Sequence, residues 1–141
     1  TRRFDLQPLA YRREVLPPSL PVVAVEAGHP DLWWKYVGSN GAVVGIDNGL
    51  LHLAAMTDVP IVYGYTMTGP EQRRINRKHG HTVELHADKE KLKCLFCQER
   101  IRFFIGHNFT NCIYKENEPA CVKALNAESW LANIDGILNE H

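Results

Sequence analysis

Apolar residues along the chain fall into two patterns: unbroken small or β-branched runs, and apolar positions spaced three and four apart. Residues 21–27 are a run of the first kind, which predicts a strand covered on both faces. Residues 42–46 repeat the pattern, and residues 59–65 repeat it again after Asp58. Between the first two runs, Pro30 and Asp31 are good first-turn residues, and the segment they open predicts a short helix ending at Gly38. Between the second and third, the turn Asp47-Asn48-Gly49 passes without a linker into Leu50, Leu51, Leu53, Ala54 and Ala55 at helical spacing. Three strands separated by two helices predict right-handed crossovers in a parallel sheet. Residues 82–86 alternate and predict a fourth, edge-type strand. A final helix is predicted from about residue 127, with Trp130, Leu131, Ile134, Ile137 and Leu138 on one face. Residues 1–20 read as irregular apart from a helical stretch at 9–15, stopped by Pro17 and Pro18. Residues 94–121 show no clear period, and the chain has no internal repeat or low-complexity segment.

Length and charge narrow the picture. The 141 residues suffice for one domain with a real core. Sixteen basic and sixteen acidic residues cancel, so no global field recruits nucleic acid or an anionic membrane. No apolar run reaches the length of a membrane-spanning helix, and residues 1–5 lack a signal-peptide core. The expectation is a soluble, cytoplasmic chain with neither nucleic acid nor membrane as partner. The sequon at Asn108 would matter only in a secreted protein.

Local chemistry concentrates at the turn after the second strand. A helix N-terminus presents unpaired N–H groups and the positive end of its dipole, so a parallel sheet places an anion site at its carboxyl edge, beside Asp47 and Gly49. Asp47 can accept from helix amides or from ligand hydroxyls, Gly49 lets backbone approach a phosphate, and His52 lies one helical turn further on. The plainer alternative is that Asp47 only caps the helix and His52 is a satisfied, half-buried imidazole. Arg73, Arg74, Arg77, Lys78 and His79 follow the third strand, on the sheet edge assigned to Asp47. They are either cations for a phosphorylated ligand or a solvated charged face. Trp33, Trp34 and Tyr36 most simply pack a helix onto the sheet, and Glu26 is either a ribose partner or an exposed strand end.

Cys94 and Cys97 form a C-x-x-C knuckle, with fourteen residues to Cys112 and eight more to Cys121. Two thiolates two residues apart meet at one point, and two distant cysteines complete a tetrahedral four-sulfur shell suited to zinc or a single iron. The alternatives are two disulfides, disfavoured in an intracellular chain, or four free thiols. A metal here would be structural, because four sulfurs leave no open coordination position.

Two family resemblances meet in the second strand. Phe4-Asp5-x-Gln7, Tyr11-Arg12-x-Glu14-Val15-Leu16-Pro17, Val23-Ala24-Val25-Glu26-Ala27-Gly28, Trp34-x-Tyr36-Val37-Gly38 and Asn40-Gly41-Ala42-Val43-Val44-Gly45 resemble the C-terminal domain of transketolase over residues 1–46. That family's Phe-Gly-Glu-Ser-Ala-Pro type helix start does not follow. Instead Gly45-Ile46-Asp47-Asn48-Gly49-Leu50-Leu51-His52 and Val59-Pro60-Ile61-Val62 resemble the donor-binding domain of ADP-heptose glycosyltransferases of the GT-B fold. Thr68-Gly69-Pro70-Glu71 and the cysteines are similar to the branch that glycosylates bacterial autotransporter adhesins, whose cysteines hold an iron. The resemblance implies that Asp47, Asn48, Gly49 and His52 contact a nucleotide-sugar, with Thr68 and Gly69 nearby, and that Cys94, Cys97, Cys112 and Cys121 ligate one iron or zinc ion.

Together the two resemblances imply a recombined or designed α/β chimera: a Rossmann-like, three-layer parallel sheet with a C-terminal four-cysteine metal finger and a final helix. Within one domain of residues 1–141, residues 1–46 are the transketolase-like strand-helix-strand and 47–93 the donor-domain-like part. Residues 94–121 are the finger and 122–141 the closing helix. The expected function is an incomplete heptosyltransferase donor module that binds ADP or ADP-heptose through the retained motif, without turnover of its own and without thiamine diphosphate. The alternatives are a scaffold whose sole ligand is the metal, and a heptosyltransferase active once an acceptor domain or oligomerisation completes it.

Overall fold

The computed structural model describes residues 2–25, 34–38, 40–46, 49–100, 112, 114 and 117–139. Four strands, β1 (Val23–Val25), β2 (Ala42–Ile46), β3 (Ile61–Gly64) and β4 (Thr82–Leu85), lie side by side in chain order, every pair parallel. Val43 stands opposite Ile61, and Ile61 opposite Thr82, so the strands begin nearly level and all end at one edge. Parallel neighbours need crossovers. Those between the strands carry α3 (Trp34–Val37), α4 (Gly49–Ala54) and α5 (Pro70–Arg73). Ahead of the sheet come α1 (Arg2–Asp5) and α2 (Leu9–Val15). After it come α6 (Cys97–Arg100), α7 (Ala120–Lys123) and α8 (Ala127–Asn139).

The two-residue period of a strand divides the core into two layers. On one face Val43, Ile61 and Tyr63 pack with Val37 of α3, Leu51 and Ala54 of α4, and Leu95, Phe96 and Cys121 from the cysteine region. On the other, Ala42, Val44 and Val62 meet Ile134 and Ile137 of α8. Helices therefore cover both faces, and the three-layer α/β expectation holds among the described residues. Tyr63 and Tyr65 are fully buried, edge to face with ring centroids 4.3 Å apart.

Several details differ from the sequence reading. The first strand is half-buried rather than fully covered: Val23 and Ala24 touch opposite layers, but Val25 is 74% exposed. The cause is position, since β1 ends the sheet and the helical layers centre on β2 and β3. Tyr36 does not pack α3 onto the sheet. Its ring lies 5.4 Å from Phe4, and its hydroxyl donates to the Asp5 carboxylate, so it ties α3 to α1, a helix absent from the sequence reading. Val37 makes the sheet contact instead, and α3 ends as expected at Gly38, where a φ of +64° suits glycine. Leu131 falls at the margin of the predicted apolar face of α8, 100° round the helix from Trp130, and is 58% exposed. Asn126 caps that helix, its Oδ1 accepting from the Ser129 N–H at 2.9 Å. Among the described residues no helix is long and apolar enough to cross a membrane.

Candidate functional site

Because all four strands run the same way, the segments leaving β2 and β3 emerge at one edge, with Ile46 opposite Gly64. Asp47 and Asn48 lie outside the described residues. Gly49 opens α4 in an exposed position, and a Cβ built on it would meet nothing within 4 Å. That is the open approach a ligand backbone contact needs. His52 is exposed, not half-buried, with its ring edge-on to Tyr63 at 6.3 Å.

The segment after β3 is less open. Thr68 is half-buried and Gly69 is buried. A Cβ on Gly69 would stand 2.6 Å from both Phe96 Cγ and Glu99 Oε1. The Phe96 N–H donates to Thr66 O at 3.2 Å and the Gln98 N–H to Met67 O at 3.0 Å. The loop that the sequence places beside the donor is thus clamped to the cysteine-bearing segment. Glu99 Oε1 is buried there without a hydrogen-bond partner among the described residues. No sequence signal singles out Glu99, because its environment comes from a loop thirty residues away.

Two members of the basic cluster are committed to partners within the fold. Arg77 donates from Nη1 to Thr57 O at 3.1 Å and Val59 O at 2.8 Å, from Nε to Thr82 Oγ1 at 3.1 Å, and from Nη2 to His81 O. These acceptors lie at the amino ends of β3 and β4, so Arg77 closes the opposite edge of the sheet. Burial lowers its pKa from the ordinary guanidinium value, with Asp58 opposing. Arg74 is also committed: its fork donates to Glu84 on β4 at 3.0 and 3.1 Å. The spacing could not reveal this, since backbone carbonyls that compete for a guanidinium leave no mark in sequence.

The four cysteines are free of disulfides. Cys97 and Cys121 are buried, Cys94 and Cys112 half-buried. Burial pushes the Cys97 thiol above its ordinary range, reinforced by the nearby Cys94 and Cys112. Cys121 is raised by burial first and then chiefly by Cys97, with Cys94 and Cys112 also contributing. Cys97 and Cys121 therefore each lie within electrostatic reach of the other and of Cys94 and Cys112, despite their separation in sequence. Among the described residues, however, no three Cys, His, Asp or Glu side chains close into a metal-holding group. The knuckle turns through Phe96, whose φ of +59° is rare for a bulky residue and marks a tightly held turn.

Comparison with known proteins places one third of the chain. Residues 1–48 match the family described as the transketolase-like TK C-terminal domain. Transketolase 1 of Escherichia coli (strain K12) is 57% identical over 47 residues, which are 33% of this chain and 7% of that protein. The transketolase of Physarum polycephalum is 54% identical over 48 residues, 33% of this chain and 7% of its own length. That of Aquifex aeolicus (strain VF5) is 53% identical over 45 residues, 31% and 6% respectively. The matched stretch thus spans less than a tenth of each of these relatives. No solved structure matches the chain.

Proposed function

We propose that a transketolase-like strand-helix-strand is joined here, within β2, to a heptosyltransferase-type donor segment, and that the resulting domain binds an adenine nucleotide-sugar at the carboxyl edge of its sheet. The observation that carries this reading is Gly49, which starts α4 at that edge with open space above it and His52 exposed on the next turn. Asp47, Asn48, Gly49 and His52 contact ADP or ADP-heptose, and Thr68 and Gly69 shape the neighbouring loop. Cys94, Cys97, Cys112 and Cys121 hold one iron or zinc ion. The donor set fits: four free thiols, of which the buried Cys97 and Cys121 are each within electrostatic reach of the other and of Cys94 and Cys112. When bound, the metal cross-links the cysteine region and fixes the segment that clamps the loop after β3.

The reading assigns binding rather than turnover. Glycosyl transfer needs a second wall that excludes water and positions an acceptor, and this sheet edge supplies one wall. Thiamine diphosphate has no part in it. A second reading, a scaffold with the metal as its sole ligand, is favoured by Gly69, whose Cβ direction is filled by Phe96 and Glu99.

Calorimetric titration of ADP and ADP-heptose separates the two readings. Saturable binding that Asp47→Ala and His52→Ala each weaken by about tenfold or more supports the donor site. Heats indistinguishable from buffer in all three proteins leave the scaffold. Elemental analysis of the purified chain, expected at one iron or zinc per molecule, tests the cysteines independently.

A further inference from the structure

A second concavity lies at the other end of the sheet, away from Gly49 and the cysteines. It is a groove of 430 Å³ between α1–α2 and the segments that enter β1 and β2. That size falls within the ~300–1,000 Å³ of small-molecule sites. Its walls are mainly apolar, with Phe4, Leu9, Leu16, Leu20 and Val22 among them, and Arg12 lies in the lining.

Arg12 is the unusual member. Its Nε is buried and has no hydrogen-bond partner among the described residues. Among the described residues the hydrogen bonds of Arg12 are made by its backbone, whose N–H donates to Pro8 O at 3.1 Å and whose carbonyl accepts from the Leu16 N–H at 2.9 Å. Asp5, on the same side of the fold, accepts from the Tyr36 hydroxyl. A buried donor without an acceptor is costly, and in native structures such a group usually has an explanation. No local helix logic supplies one, because α2 buries no residue of its own against the sheet.

We propose that this groove binds a small organic monoanion, a carboxylate carried on an apolar body. The carboxylate accepts from the Arg12 guanidinium, whose planar fork matches it, while the chain lies against Leu9, Leu16 and Leu20. A single half-buried cation, its Nε enclosed among apolar walls, favours a monoanion over doubly charged, fully polar anions, whose second charge would be left unpaired. Arg13, exposed at the groove, adds long-range attraction without selecting the head group.

The test uses the whole chain and octanoate as probe, with 1-octanol and inorganic phosphate as controls, read by calorimetry. Expected are saturable octanoate binding, responses at least tenfold weaker to octanol and phosphate, and a loss of at least tenfold in octanoate affinity in Arg12→Met. Leu20→Glu sets a like charge on an exposed wall residue and weakens octanoate comparably, whether or not the Arg12 variant folds. The ligand-free Arg12→Met protein, if folded, melts no lower than wild type, because the Nε it loses has no hydrogen-bond partner among the described residues. Absence of saturable octanoate binding overturns the proposal. So does octanol binding as tightly as octanoate, an Arg12→Met affinity equal to wild type, or a lowered melting temperature that marks Arg12 as structural.

Discussion

At Gly69 there is no room for a side chain, and the neighbours that fill the space belong to the cysteine region. Phe96 is buried and its backbone is bonded to Thr66, so neither side can yield cheaply. Gly69→Ala is expected to lower stability by about 1–3 kcal/mol, read from the urea midpoint. The bidentate Arg74–Glu84 pair is a contrasting case, because both partners are partly exposed. Glu84→Gln should move the urea midpoint far less than Gly69→Ala does, and that small effect should shrink further in high salt. The sequence singles out Gly69 only through a resemblance and Glu84 not at all, and it shows neither the filled space at the one nor the pairing of the other. Their difference comes from what other segments bring against them. The same holds for Arg77, which the sequence leaves as either a ligand cation or part of a solvated face and which donates to backbone carbonyls at the amino edge.

Among elements, α8 is the clearest case of pattern becoming contact. Its 130, 134, 137 and 138 positions follow helical spacing, and the layer they cover is made of Ala42, Val44 and Val62. Ile137 is 1% exposed, so Ile137→Ala removes fully buried methyl groups and should cost about 2–4 kcal/mol in chemical denaturation. Leu131→Ala, on the same helix, should stay within about 0.5 kcal/mol. Equal effects would mean that α8 sits on the sheet in another rotation. Strands β2, β3 and β4 were legible because their apolar runs and alternation match their places at the centre and edge of the sheet. The short helix α1 was not, since Arg2–Asp5 carries no period, and it is tied down by a Tyr36 hydroxyl from thirty residues on.

For the whole molecule, stability and the cysteines are linked through protons. Burial raises the Cys97 and Cys121 thiols, so between their unfolded and folded pKa values the metal-free native state holds more protons than the unfolded chain. Its stability therefore falls as pH rises through the thiol range. That fall should flatten in the protein carrying both Cys97→Ser and Cys121→Ser, which thermal melts at neutral and alkaline pH would compare. Metal uptake has the opposite sign: thiolates are the ligands, so binding releases protons and the apparent affinity increases with pH. Chelation of the metal-loaded protein should accordingly lower its melting temperature. A melt indifferent to chelator, in protein shown to carry metal, would remove the cysteine region from the stability of the fold.

The chain's own residue pattern determined the class and order of the main elements: apolar runs with turn residues between them, a helix after each of the first two, and a capped amphipathic helix at the end. These depend on local periodicity, which neighbours in sequence impose directly. Tertiary structure alone decided which charges are committed, which glycine is open and which is filled, and that Arg12 Nε is buried without an acceptor among the described residues. Such facts depend on contacts between segments tens of residues apart, and a sheet of parallel strands creates them only when its crossovers bring those segments to the same edge.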